Sequence, residues 1–227
     1  MAYVTDKIDS LFGFFKNAKL IAQDIGITPL SQELIQEDGS TRYAVPSLQW
    51  PHREGVQVPL RIALRKHKNM PFSGNILKSI ESPIYKEFPK IKAWVTYFEV
   101  TQKGKAGRVF TATLPPHKQV YRHADRGIYF SVYDRYHLVI ASNGTHMRIG
   151  DQDVHMHQGE LWWINNKIGH ESFNTSDQSR THLVIDLLPH SLLRRIRNVL
   201  FWLYFGLRPK RLTNYYINWP RRFQATS

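Results

Sequence analysis

Along the 227-residue chain the period of hydrophobic positions changes twice. Over residues 1–25, Ile8, Leu11, Phe12, Phe15, Ala18 and Ile21 recur at helical spacing, which predicts an amphipathic helix. Residues 26–92 hold no single period, because Pro29, Pro46, Pro51, Pro59, Pro71 and Pro83 cut them into short pieces. From Ala93 onward alternation takes over, as in residues 94–100 (Trp-Val-Thr-Tyr-Phe-Glu-Val) and residues 108–114 (Arg-Val-Phe-Thr-Ala-Thr-Leu). About eight short, turn-bounded strands predict a mainly β fold with flanking helices: a double-stranded β-helix, or cupin-like jelly roll, with the early helices over its outer face. The expected organisation is an N-terminal helical and irregular region (1–92) packed on a jelly-roll core (93–190). A basic C-terminal helix and tail (191–227) completes one globular domain.

Chemistry concentrates in the alternating part. A Pro-Pro turn precedes the run Val120-Tyr-Arg-His-Ala-Asp, and residues two apart on a strand point to one side, so His123 and Asp125 can grip one ion together. His170 opens a later strand. Two imidazoles and one carboxylate with positions to spare describe the facial triad of non-heme Fe(II) oxygenases. Arg180 follows His170 by ten residues, on a strand read as its hairpin neighbour. A guanidinium there suits the distal carboxylate of a dicarboxylic cosubstrate such as 2-oxoglutarate. In the strand Asp134–Ala141, alternation puts Arg135 and His137 on one face among apolar residues, where both call for an anion.

The stretch from about Phe110 to Pro189 resembles the aspartyl/asparaginyl β-hydroxylase family of Fe(II)/2-oxoglutarate dioxygenases. The matching pieces are Leu114-Pro-Pro116, His123-Ala-Asp125, Arg135-Tyr-His137, the Gly159-Glu160 turn before an aromatic strand, His170 with Asn174, and Arg180 leading an apolar strand to Asp186. The resemblance implies metal ligation by His123, Asp125 and His170, and 2-oxoglutarate held by Arg180, Arg135 and His137. It implies Fe(II), 2-oxoglutarate and O2 as the reacting set: the cosubstrate would take two of the three remaining metal positions and dioxygen the third. The product would be a hydroxylated amino acid, peptidyl Asp or Asn, or acyl chain, with succinate and CO2 released. Two departures stand out. The segment from His123 to Arg135 is longer than the family's, and the family's hydroxyl residue before the first histidine is replaced near Ala112, between Thr111 and Thr113.

Other histidines read as packing or surface residues: His146, His155 and His157 have no third ligand nearby, whereas His182 shares the face of Arg180 and suits a supporting role. Asn143-Gly144-Thr145 fits a glycosylation acceptor but reads more simply as a hairpin turn.

Composition then narrows the frame. The chain has no cysteine, which excludes disulfides, thiolate metal sites and a cysteine nucleophile. No secretory pattern opens it, and no apolar run approaches the ~20 residues of a bilayer span. A cytoplasmic protein, peripheral to a membrane at most, is the expectation.

After Asp186 there is no acidic residue, while Arg194, Arg195, Arg197, Arg208, Lys210, Arg211, Arg221 and Arg222 carry eight of the +13 formal charges. Leu192, Ile196, Val199, Leu203 and Leu207 form a helical stripe behind a Ser191 cap. That helix suits packing on the jelly roll, a homodimer contact, or an anionic membrane surface. No nucleic-acid motif accompanies the charge, so nucleic acid is not an expected partner. The rival to a dioxygenase is a non-catalytic cupin-like metal-binding protein acting through this basic tail.

Overall fold

The computed structural model describes residues 17–48, 50–63, 78–142 and 145–206. Twelve strands and three α-helices are found among them. In chain order they are β1 (Ala18–Ala22), α1 (Thr28–Leu34), β2 (Val45–Pro46), β3 (Val56–Ala63), β4 (Ser79–Glu81), α2 (Pro89–Thr101), β5 (Gly104–Leu114), β6 (Gln119–His123), β7 (Asp134–Ala141), β8 (Thr145–Ile149), β9 (Gln152–His155), β10 (Leu161–Ile164), β11 (His170–Asn174), β12 (Arg180–Pro189) and α3 (Leu192–Gly206). The larger sheet runs β1-β10-β7-β12-β5-β3-β2, with β4 also on β3; the smaller runs β6-β11-β8-β9. From β5 to β12 the chain passes back and forth between the two sheets, apart from the β8–β9 hairpin within the smaller one, in the winding of a double-stranded β-helix, so the jelly roll is the fold.

Period-2 alternation explains the layering. On β7 and β12, Tyr136, Leu138, Ile140, Leu183 and Ile185 point outward into an apolar layer that also takes Ile91, Val95 and Phe98 of α2 and Leu30 and Leu34 of α1. A second apolar cluster, including Val139, Met147, Ile149 and Ile164, lies between the sheets. The polar residues of β7 and β12 share that inner space. Both central strands are buried on both faces, so polar side chains there must find partners inside the protein or in a ligand.

Two predicted elements change type. Residues 94–100, read as a strand, lie in α2, where Ile91, Val95 and Phe98 recur at helical spacing and are buried. Pro89 supplies the preset first turn. The Glu33 carboxylate accepts the backbone N–H groups of Lys90 and Ile91, both at 2.9 Å, and so caps the positive end of the helix. Residues 18–22, read as the end of a helix, form β1, which covers the edge of the larger sheet by pairing with β10. The rest of that predicted helix, residues 1–16, lies outside the described residues, as do Asn143 and Gly144 of the predicted hairpin turn.

The tail helix is α3, and a buried carboxylate ties it down. Asp134, the first residue of β7, accepts hydrogen bonds from Arg194 Nη2 (2.8 Å), Arg197 Nη2 (2.7 Å), Asn198 Nδ2 (3.0 Å) and Trp163 Nε1 (3.0 Å). Burial alone would raise its pKa, but Arg194 and Arg197 outweigh that and hold it below the ordinary value. Asp134→Asn would keep the shape and leave two guanidiniums without their anion. It should lower the unfolding free energy by about 3 kcal/mol in urea titrations. An unchanged midpoint would show that this carboxylate does not hold α3.

Candidate active site

β6 and β11 deliver the two imidazoles. His123 and His170 are direct cross-strand partners, and their ring centroids lie 4.2 Å apart. Each ring is oriented by its own backbone: His123 Nδ1 donates to the Tyr121 carbonyl at 2.8 Å, and His170 Nδ1 to the Ile168 carbonyl at 3.0 Å. Those bonds fix the tautomer with Nε2 unprotonated, which is the form a metal takes. His123 Nε2 is buried and has no hydrogen-bond partner. Burial first, and then mutual repulsion, holds the His170 ring neutral well below the ordinary imidazole range; His123 is lowered by burial as well.

Asp125 lies just past the end of β6 rather than on it, held by its backbone N–H to the Asn166 carbonyl at 2.9 Å. Its Oδ2 accepts from Asn166 Nδ2 at 2.8 Å and forms a short ion pair with Arg135 Nη1. Lys167 Nζ lies 3.3 Å from Asn166 Oδ1, which orients the amide so that its NH2 faces Asp125. Among the described residues no side chain donates to Asp125 Oδ1. Burial opposes ionisation of Asp125, yet Arg135 keeps its carboxyl well below the usual range. Among the described residues no three imidazole or carboxylate groups stand in a ready-made metal cage. The donor set nevertheless fits such an ion, with two neutral imidazoles offering Nε2 and one carboxylate offering an oxygen.

Arg135 is already matched. Its Nε and Nη2 bind Asp186 of β12 at 2.7 and 3.1 Å, and Nη1 binds Asp125, so two buried carboxylates meet one guanidinium. Arg108 Nε adds a third contact to Asp186 at 3.0 Å. Where the family resemblance gives Arg135 to a cosubstrate, this structure gives it to the carboxylate beside the histidines.

Arg180 is the opposite case. It is buried, and its contacts are to neutral groups: Nη1 donates to Ser172 Oγ at 2.8 Å and Nε to His182 Nε2 at 3.0 Å. It forms no ion pair among the described residues, and burial alone pulls its pKa down to about 10. Arg180 Nη2 also lies 3.1 Å from His182 Nδ1, which in turn lies 3.2 Å from His137 Nδ1. His137 Nε2 is buried and has no hydrogen-bond partner. A cation without an anion and an imidazole nitrogen without a partner thus lie on the same inner face.

The path from His170 to Arg180 differs from the predicted hairpin. β11 belongs to the smaller sheet and β12 to the larger, so the connection turns a corner and the Arg180–Ser172 bond spans the two sheets. Beside Arg180 the hydroxyl is that of Ser172, whereas Thr111 bonds to the Val58 N–H and Thr113 to Thr41 and Thr181. His146 and His155 face each other across β8 and β9, with centroids 4.1 Å apart, outside this cluster. Sequence reasoning missed His52, whose ring packs edge-on against His123 at 4.7 Å and whose pKa burial pushes down to about 3. It also assigned no role to Ser172, Asn166 or Asp186. His52 sits in the proline-broken stretch, where no period could aim it.

The family model for aspartyl/asparaginyl beta-hydroxylase matches residues 72–189, just over half of the chain. No curated protein matches it. Similar solved structures include a prolyl-4-hydroxylase from Pseudomonas putida, 11% identical over 78% of this chain and 95% of that one, with a TM-score of 0.47. An oxidoreductase of the 2OG-Fe(II) oxygenase family from Burkholderia pseudomallei is 10% identical over 62% and 71%, with a TM-score of 0.43. A cupin domain from Bordetella pertussis is 14% identical over 37% and 82%, with a TM-score of 0.30.

His123→Ala, Asp125→Ala and His170→Ala should each abolish tight Mn(II) binding, whereas His155→Ala and His157→Ala should retain it. Asp186→Asn, acting through Arg135, should weaken Mn(II) by about 10- to 100-fold. Calorimetric titration reads all of these, and wild-type affinity in His170→Ala would remove that ligand. A second expectation concerns pH. His123, His137, His170 and His182 are held neutral in the fold, while unfolded histidines take up protons near about pH 6.5. Their contribution is therefore present above that pH and is lost as pH falls toward the folded values. Urea midpoints of the metal-free protein should drop between pH 7 and pH 5; a flat profile would contradict their neutrality.

Proposed function

The chain belongs to the aspartyl/asparaginyl β-hydroxylase family, and on that premise we propose that it is an Fe(II)- and 2-oxoglutarate-dependent dioxygenase acting on an unactivated C–H bond. The observation that carries the reading is Arg180. A guanidinium removed from water is costly unless an anion meets it, and here only hydroxyl and imidazole groups do. A dicarboxylate end seated against Arg180 would also accept from His137 Nε2 in the tautomer that carries its proton there. It would satisfy both groups at once, with a charge-assisted hydrogen bond to the guanidinium.

In this reading His123, Asp125 and His170 would hold the iron, and Arg180 with His137 would hold the far carboxylate of 2-oxoglutarate. Bound iron, with 2-oxoglutarate and dioxygen, supplies the oxidising power for hydroxylation, leaving succinate and carbon dioxide. The remaining work falls to the chain. Arg135 and Asn166 fix the Asp125 carboxylate, the backbone carbonyls of Tyr121 and Ile168 orient the imidazoles, and the apolar cluster between the sheets excludes water. His52 packs edge-on against His123 and helps fix that ring. The substrate is proposed as an amino acid, a peptidyl Asp or Asn, or an acyl chain.

Arg180→Lys keeps the charge but loses the planar fork, and Arg180→Ala loses both. A lost charge-assisted contact of ~2–4 kcal/mol should weaken 2-oxoglutarate by roughly 30- to 1,000-fold in the alanine variant, and by less in the lysine variant. Calorimetry under nitrogen with Mn(II) in place of iron measures this, and Mn(II) affinity should stay near wild type. Unchanged 2-oxoglutarate affinity in Arg180→Ala would overturn the proposal.

A further inference from the structure

Helix α3 carries its charge inward and its apolar residues outward. Arg194, Arg197 and Asn198 reach Asp134 in the interior, and Phe201 is buried beside them. The opposite side is exposed: Leu192 and Leu193 at 69% and 72%, and Ile196, Leu200, Leu203 and Tyr204 at 44–46%. At 100° per residue these six side chains fall within an arc of roughly 120°, a continuous stripe along the helix. An ordinary surface helix is the reverse of this, with its apolar side on the core. Contiguous exposed apolar surface of this kind marks an interaction site.

The surroundings select the occupant. Residues 207–227 contain Arg208, Lys210, Arg211, Arg221 and Arg222 and no acidic residue, and the chain as a whole carries a formal charge of +13. A second copy would bring the same charge to the same face. The stripe of a 15-residue helix, about 22 Å long and about 10 Å wide, also offers roughly 220 Å², well short of the ~800 Å² per partner of a stable dimer. Among the described residues no helix is long and apolar enough to cross a membrane. An apolar stripe that runs along a helix whose other face is held by Asp134, followed in sequence by a cationic segment, has the chemistry of a helix lying in a bilayer interface.

We propose that α3 docks the protein on anionic lipid bilayers, its outer stripe inserting among the acyl-chain boundaries while the cations of residues 207–227 are drawn to acidic headgroups. Neither the metal nor the cosubstrate is needed for this contact. The test is sedimentation of the full chain with vesicles of phosphatidylcholine alone or with one third phosphatidylglycerol. Binding should appear with the anionic vesicles and weaken as salt rises from about 0.1 to about 0.5 M. The double variant Ile196→Glu/Leu200→Glu alters only exposed positions. It should bind at least about tenfold more weakly while keeping the wild-type urea midpoint and 2-oxoglutarate affinity. Wild-type protein left in the supernatant, or a variant that still sediments, would overturn the proposal. So would a wild-type dimer, seen by light scattering, that the variant dissolves.

Discussion

A guanidinium taken out of water has to be met by negative charge, and the interior of the jelly roll is arranged around that requirement. Three buried arginines stand in three different relations to it. Arg122 pairs with Glu171 at 3.0 Å inside the smaller sheet and also donates to the Gly150 carbonyl at 3.0 Å. Arg135 is shared between Asp125 and Asp186, so its charge positions the carboxylate that stands beside two imidazoles. Arg180 has its hydrogen bonds but, among the described residues, no carboxylate, and it is this arginine that the proposed function gives to an anion. The functional reading depends on the contrast between these three more than on any one contact.

The fold supplies the positions. β7 and β12 are paired antiparallel at the middle of the larger sheet, with Asp186 opposite Arg135 and Val184 opposite His137. Their alternate residues give the outer face to the helices and the inner face to the polar groups. β6 and β11 approach from the smaller sheet with His123 and His170 in register. The two imidazoles and the inner-face arginines are thereby carried on strands, where backbone geometry rather than loop motion sets their spacing.

Much of this was legible in the sequence because strands declare which residues share a face. The grouping of Arg135 with His137, the face shared by Arg180 and His182, and the jelly-roll class all follow from period 2. What was hidden depends on partners distant in the chain. The corner between β11 and β12 looks like a hairpin in sequence, since a turn carries no mark of which sheet the next strand joins. The run from Trp94 to Val100 alternates well enough to pass for a strand, and only its burial with Ile91 shows that the helical period prevailed. His52 and Ser172 reach the site through tertiary packing, and the pairing of Asp186 with Arg135 is a cross-strand fact that no local pattern states.

Asp134 and Arg135 are consecutive residues at the start of β7, and alternation sends them to opposite faces. One receives the C-terminal helix; the other braces the carboxylate beside the histidines. A single peptide unit therefore carries the hinge pin of an outer element and a strut of the inner one. Lys167 strengthens the link, since its ammonium contacts the Tyr133 carbonyl at 2.8 Å and Asn166 at 3.3 Å, the same asparagine that grips Asp125. The C-terminal helix is in this sense part of the frame of the active centre, and its seating has mechanical meaning for groups it never touches.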